Sequence, residues 1–108
     1  MILTWIALGI AAGAAAAAII TYWNEIVDWA KEIFNKLFSK GKLFMEWVGG
    51  TLRTWVAGKD KDGEYSVGPD KKRPANEKEL WQMYEAGIIT KPELEDLLNG
   101  RTVYTDVH

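Results

Sequence analysis

The chain has 108 residues, a formal net charge of −2 and no cysteine. The missing cysteines exclude disulfides, thiolate catalysis and the usual cysteine-based zinc sites. Mixed charge without a basic excess argues against a dedicated nucleic-acid binder.

The first element predicted is a membrane span. Ile6 to Tyr22 holds no charged residue, and Trp5 and Trp23 bracket it. At a helical rise of roughly 1.5 Å the two indoles stand about 27 Å apart, close to the hydrocarbon thickness of a bilayer. A secretory signal peptide is the first alternative, with a small-residue cleavage site at Ala14–Ala18, but no Lys or Arg precedes the apolar run. A buried core helix is the second, and it asks for more covering protein than so short and polar a remainder supplies. The retained span over residues 1–23 is therefore the expectation. Lys31, Lys36, Lys40 and Lys42 follow it and no basic residue precedes it, which predicts an inner (plasma) membrane protein with its N-terminus outside and its C-terminus in the cytoplasm. Gly9, Gly13 and Ala17 recur every fourth residue and form a smooth stripe suited to close helix association.

Residues 24–58 read as an amphipathic juxtamembrane region. Ile26, Val27, Ala30, Ile33, Phe34, Leu37 and Phe38 fall at intervals of three and four residues, opposite Asp28, Lys31, Glu32, Asn35 and Lys36. The membrane helix either continues straight through this stretch or bends near Trp23 and lies on lipid with Trp29, Phe34 and Phe38 inserted. Within it, Phe44, Val48, Leu52 and Trp55 have near-helical spacing, which favours a second interfacial helix. Gly49-Gly50 weakens that helix and leaves open a strand from Thr51 to Ala57, paired with Glu64–Val67 across a turn at Lys59–Gly63.

Residues 59–75 read as a charged, solvated linker. The alternation of Asp60, Asp62 and Glu64 suggests a calcium loop, but both registers fail. One sets Tyr65 where glycine is needed and Lys71 where glutamate is needed; the other sets Gly58 and Pro69 at ligand positions. Lys71-Lys72-Arg73 suits anionic headgroups or a solvated turn.

Residues 76–100 carry the clearest local signals. Asn76 with Glu79, and Thr90 with Glu93, have the spacing of capping boxes, while Gly87 and Gly100 suit helix ends. Two short helices joined by a tight bend follow, with Leu80, Trp81, Tyr84, Ile89, Leu94, Leu97 and Leu98 as an apolar face for a partner; residues 101–108 form a tail. Leu80, Tyr84, Gly87-Ile88-Ile89-Thr90 and Glu93-Leu94 resemble the short C-terminal domain of many bacterial proteins, in which a leucine-bearing helix precedes Gly-x-Ile-Thr-x-x-Glu-Phe. Leu94 stands where that pattern prefers phenylalanine, and Pro92 and Leu97 also depart from it. The resemblance covers about 25 residues and implies a bacterial or phage source and a module for oligomerisation or protein contacts, without catalysis.

Taken together, the sequence predicts a mainly α protein: a single transmembrane helix, an amphipathic juxtamembrane helix, a charged linker and a C-terminal helical hairpin. Catalysis has little support, since His108, the one histidine, stands at the chain end and there is no Ser/His/Asp set or phosphate-cradling glycine loop. No cofactor, metal, small-molecule substrate or nucleic acid is implied. The expected partners are the bilayer and either a second copy or a membrane protein. The expected function is a membrane scaffold or accessory subunit that docks a partner through its cytoplasmic helices; the alternative is a holin-like or toxin-like effector that assembles into a permeable oligomer.

Overall fold

The computed structural model describes residues 14–106. Its elements run α1 (Ala14–Leu37), β1 (Phe38–Val48), β2 (Thr51–Asp60), β3 (Tyr65–Pro74), α2 (Glu77–Glu85), α3 (Lys91–Leu98) and β4 (Val103–Asp106). The strands form an antiparallel sheet in the order β3-β2-β1-β4. The architecture is α+β, and the mainly α expectation is wrong in the middle third of the chain.

Gly49-Gly50 explains the error. Their φ values of 60° and 76° are the two positive angles that a two-residue type I′ hairpin turn requires. The chain therefore reverses there, and Val48 pairs with Thr51, Trp47 with Leu52 and Met45 with Thr54. Alternation then replaces helical spacing: Leu43, Met45, Leu52, Thr54 and Val56 are buried, while Phe44, Arg53 and Trp55 point to the other side. The supposed linker also pairs. Ala57 opposes Val67, within the segments the strand alternative pairs, while Lys59, assigned there to the turn, opposes Tyr65 in the ladder, and β3 continues to Pro74. Between β2 and β3 the carboxylate of Asp60 accepts hydrogen bonds from the backbone N–H groups of Asp62 (2.9 Å) and Glu64 (3.0 Å), which fastens the turn.

One face of the sheet carries all three described helices. Ile19, Ile20, Trp23, Ile26, Val27 and Ala30 of α1 meet the inward strand residues, and Leu80, Met83, Ile88, Ile89, Leu94 and Leu97 complete the same core. The membrane expectation is corrected here. Trp23, expected at a lipid–water boundary, has 0% exposure. Phe38 is buried as the first residue of β1, and Trp29 and Phe34 are half-buried against the core instead of inserted in lipid. Lys71 lies over the Trp29 ring, 5.4 Å from its centroid. The amphipathic stripe requires an apolar cover, and the chain's own sheet supplies it where sequence analysis expected lipid or another copy.

Among the described residues no helix is long and apolar enough to cross a membrane. The predicted single-pass topology and inner-membrane location lose their premise, because Lys40 and Lys42, counted as basic residues flanking a span, belong to β1. Trp5, Gly9 and Gly13 lie outside the described residues.

The terminal helices close as their local signals indicate. The Asn76 side chain accepts from the Glu79 N–H at 2.9 Å, and the Thr90 hydroxyl accepts from the Glu93 N–H at 3.4 Å; both boxes are reciprocated. Gly87 takes φ +80° and turns the chain so that Ile88 enters the core and its N–H donates to the Met83 carbonyl at 2.9 Å.

Candidate binding face

Opposed residues in antiparallel strands share a face, so the register defines what the side of the sheet away from the helices displays. From the hairpin turn outward the rows are Val48–Thr51–Pro74, Glu46–Arg53–Lys72, Tyr104–Phe44–Trp55–Asp70, Asp106–Lys42–Ala57–Val67 and Lys40–Lys59–Tyr65. The described helices pack on the other side, and Phe34 of α1 reaches round to the Lys40–Lys59 end of these rows.

The central row is aromatic. Phe44 and Trp55 stack with ring centroids 5.5 Å apart and planes at 11°, and Tyr104 tilts onto Phe44 at 5.8 Å. Cations close both ends of this ridge: Lys42 lies 4.5 Å from the Tyr104 centroid and Arg53 4.4 Å from that of Trp55. Arg53 is itself held by Asp70, at 2.7 Å through Nε, and by Glu46, at 3.3 Å through Nη1. The hydrogen bond from Arg53 keeps the Asp70 carboxyl below the usual carboxylate range. Exposed pairs of this kind add little stability; their effect is to hold the guanidinium against the indole. Tyr104 is 57% and Val67 59% exposed, large fractions for side chains that could have joined a core.

Beside the ridge lies a groove of about 580 Å³. Small residues make its depth. Gly58 opposes Gly41, and a Cβ at Gly58 would collide with the Lys40 carbonyl oxygen and lie 2.6 Å from the Gly41 Cα, so only glycine permits this approach of β1 to β2. Phe34, Phe44 and Tyr65 wall the groove, and its charged lining residues are Lys40, Lys42 and Lys59. Lys40 and Lys59 stand directly opposite one another across the strand pair. Like charges in that position are destabilising, and no carboxylate among the described residues is paired with either.

Charge is segregated between the layers. The three helices carry nine acidic and four basic residues, a net −5, whereas the remaining six acidic and nine basic residues give +3. The whole-chain value of −2 averages over this difference.

Of the residues expected to contact a partner, Leu80, Ile89, Leu94 and Leu97 are buried in the core of this same chain. Trp81 and Tyr84 remain at its rim, edge to face at 6.2 Å, with Lys91 Nζ 4.1 Å from the Trp81 centroid. Ala17, expected in a helix-association stripe, is half-buried on α1. Phe44, Trp55, Tyr104, Lys40, Lys42, Lys59, Arg53 and Tyr65 were not expected as a set. One signal for part of it was present, because folding the chain about Gly49-Gly50 brings Phe44 opposite Trp55. Tyr104 had none, since β4 reaches β1 only through the packed helices.

These features define a small α+β domain with one helix-covered sheet face and one that the described helices leave largely open, the latter suited to flat and anionic groups. Neither a family model nor a curated protein nor a solved structure matches the chain.

Proposed function

We propose that the protein is a non-catalytic binding module whose working surface is the open face of the sheet. The observation that carries this reading is the Tyr104–Phe44–Trp55 row with its flanking Lys42 and Arg53, left uncovered by the described helices. Tyrosine, tryptophan and arginine are the residues that dominate binding energetics at interfaces, and here they form one contiguous, pre-ordered group. The docking role expected of the C-terminal helices moves to the sheet, because the apolar faces of α2 and α3 are used in the core. The likeness of residues 76–100 to the bacterial short C-terminal domain points to the same class, a contact module without catalysis. A pore-forming effector would need the α1 stripe free to face lipid, and that stripe covers the sheet.

Site-specific photo-cross-linking in cells tests this. A benzophenone side chain in place of Tyr104 is expected to capture a macromolecular partner, and one in place of Tyr84, on α2, is expected to capture none. Adducts from position 84 alone would return the docking surface to the helices and overturn the proposal.

A further inference from the structure

We infer that the groove beside the aromatic ridge binds a segment of single-stranded nucleic acid, with Lys40, Lys42 and Lys59 receiving phosphate and Tyr65 stacking on a base; this rests on the open-face reading and specifies its ligand. The first support is the lysine geometry. Lys40 and Lys59 are cross-strand neighbours in an arrangement that costs stability, and no described carboxylate relieves it. An external anion supplies the missing counter-charge. Asp60, the nearest acidic residue along β2, directs a carboxylate oxygen to its own turn amides and not toward the lysines.

The second support is the distinction between Tyr65 and the ridge. The rings of Phe44, Trp55 and Tyr104 are engaged with one another and with cations. Tyr65 opposes Lys59, is 70% exposed, and forms no ring or cation contact among the described residues. An aromatic face beside phosphate-binding cations is the combination by which proteins hold single strands with little sequence preference. The third support is shape. The groove encloses about 580 Å³, and Gly41, Ala57 and Gly58 add little side-chain bulk to its lining beside Tyr65. Lys72 lies on the same face beyond the aromatic ridge, a further cation within reach of a strand but not of a lone nucleotide.

The test uses the full chain and fluorescently labelled oligo(dT) and oligo(U) of about 12 nucleotides, read by anisotropy. Binding is expected to weaken steeply between about 50 and 200 mM salt. Lys40→Ala with Lys59→Ala should reduce affinity at least about tenfold and flatten the slope of log K against log salt by about 1.4, the value for two lost phosphate contacts on a single strand. The same double variant should leave the melting temperature unchanged or raised, because it removes a like-charge pair, which separates lost binding from lost folding. Tyr65→Ala should weaken binding by about 5- to 150-fold. Lys78→Ala with Lys91→Ala, an equal charge change on the helices, should do neither.

Three outcomes would overturn the inference: no salt-dependent binding of either oligonucleotide, equal affinity for a mononucleotide, or equal affinity for a poly-glutamate peptide. If the oligonucleotides fail while position 104 still cross-links to a protein, the open-face reading stands and only the nucleic-acid ligand is lost. If capture occurs from position 84 alone, both are lost.

Discussion

The two faces of one sheet have opposite fates although the same strands build them. Leu43, Met45, Leu52 and Val56 point to one side and are fully buried beneath α1, α2 and α3. Phe44, Arg53 and Trp55, each one residue out of step, point to the other and meet neighbours within the sheet. Each strand is thus half core and half surface, and hydrophobicity alone does not say which half is which. Trp23 and Trp55 illustrate this: one indole is fully buried in the core, the other stacks between a phenylalanine and a guanidinium. Removing the first should test folding, and removing the second should test recognition.

The largest effect is expected on the covered side. Trp23→Ala should cost about 3–5 kcal/mol in urea unfolding, because a fully enclosed indole leaves a cavity that the sheet cannot close. Gly58→Ala should be comparable, at about 3 kcal/mol or more, since the added methyl meets backbone of β1 and not a movable side chain. Should either variant unfold with unchanged midpoint, the division of the sheet into a structural and a recognition face would fail.

Intermediate effects belong to the helix ends. Thr90→Ala should cost about 1 kcal/mol through the lost capping contact. Gly87→Ala should cost about 1–2 kcal/mol through its φ of +80° alone, as no atom lies within 4 Å of the added carbon. A Gly87→Ala cost well above this range in the same urea titration would place an unrecognised contact at the bend.

On the open side Trp55→Ala is expected to lower stability by less than about 1.5 kcal/mol, since it loses ring contacts without opening a cavity, while it reduces partner capture from position 104. A stability loss as large as that of Trp23→Ala would show the ridge to be structural and erase the contrast between the faces.

The smallest effects are pH-dependent. Burial raises the Tyr22 phenol above its ordinary value, against smaller lowering effects of Thr54 and Arg73, and its hydroxyl has no well-formed hydrogen bond. A phenol whose folded pKa is raised contributes stability fully below its unfolded value of about 10 and loses it as pH rises through the folded value. Tyr22→Phe should therefore be neutral or slightly stabilising at pH 7 and should diminish the alkaline loss. Asp70 has the opposite sign: Arg53 lowers its pKa, so its contribution is present above the ordinary carboxylate range and disappears as pH falls through the folded value. Asp70→Asn should remove that acid-side dependence, which denaturation midpoints measured across the acid range would reveal.

How far the fold was legible follows from the range of the forces involved. Asn76, Glu79, Gly87, Thr90 and Glu93 announced both terminal helices because capping boxes and left-handed glycines act within four or five residues. The periodicity of Ile26, Val27, Ala30 and Ile33 announced a helix for the same reason. What covers that helix is a separate matter, since a bilayer, a partner and a sheet all accept the same apolar stripe. Gly49-Gly50 was the decisive ambiguity. The pair disfavours a helix and permits a type I′ turn, and near-helical spacing of Phe44, Val48, Leu52 and Trp55 masked the alternation on either side of it.

The sequence by itself determined the caps, the turn glycines, the amphipathic face of α1 and the absence of thiol chemistry, all of which depend on residue type and on neighbours close along the chain. Tertiary structure alone decided that Trp23 lies in a protein core, that Leu80, Leu94 and Leu97 are enclosed, and that Lys40 faces Lys59 beside Tyr65. The physical reason is that register converts distant residues into neighbours. Pairing of β1 with β4 aligns Phe44 with Tyr104, separated by 60 positions along the chain, and no local property of either carries that information.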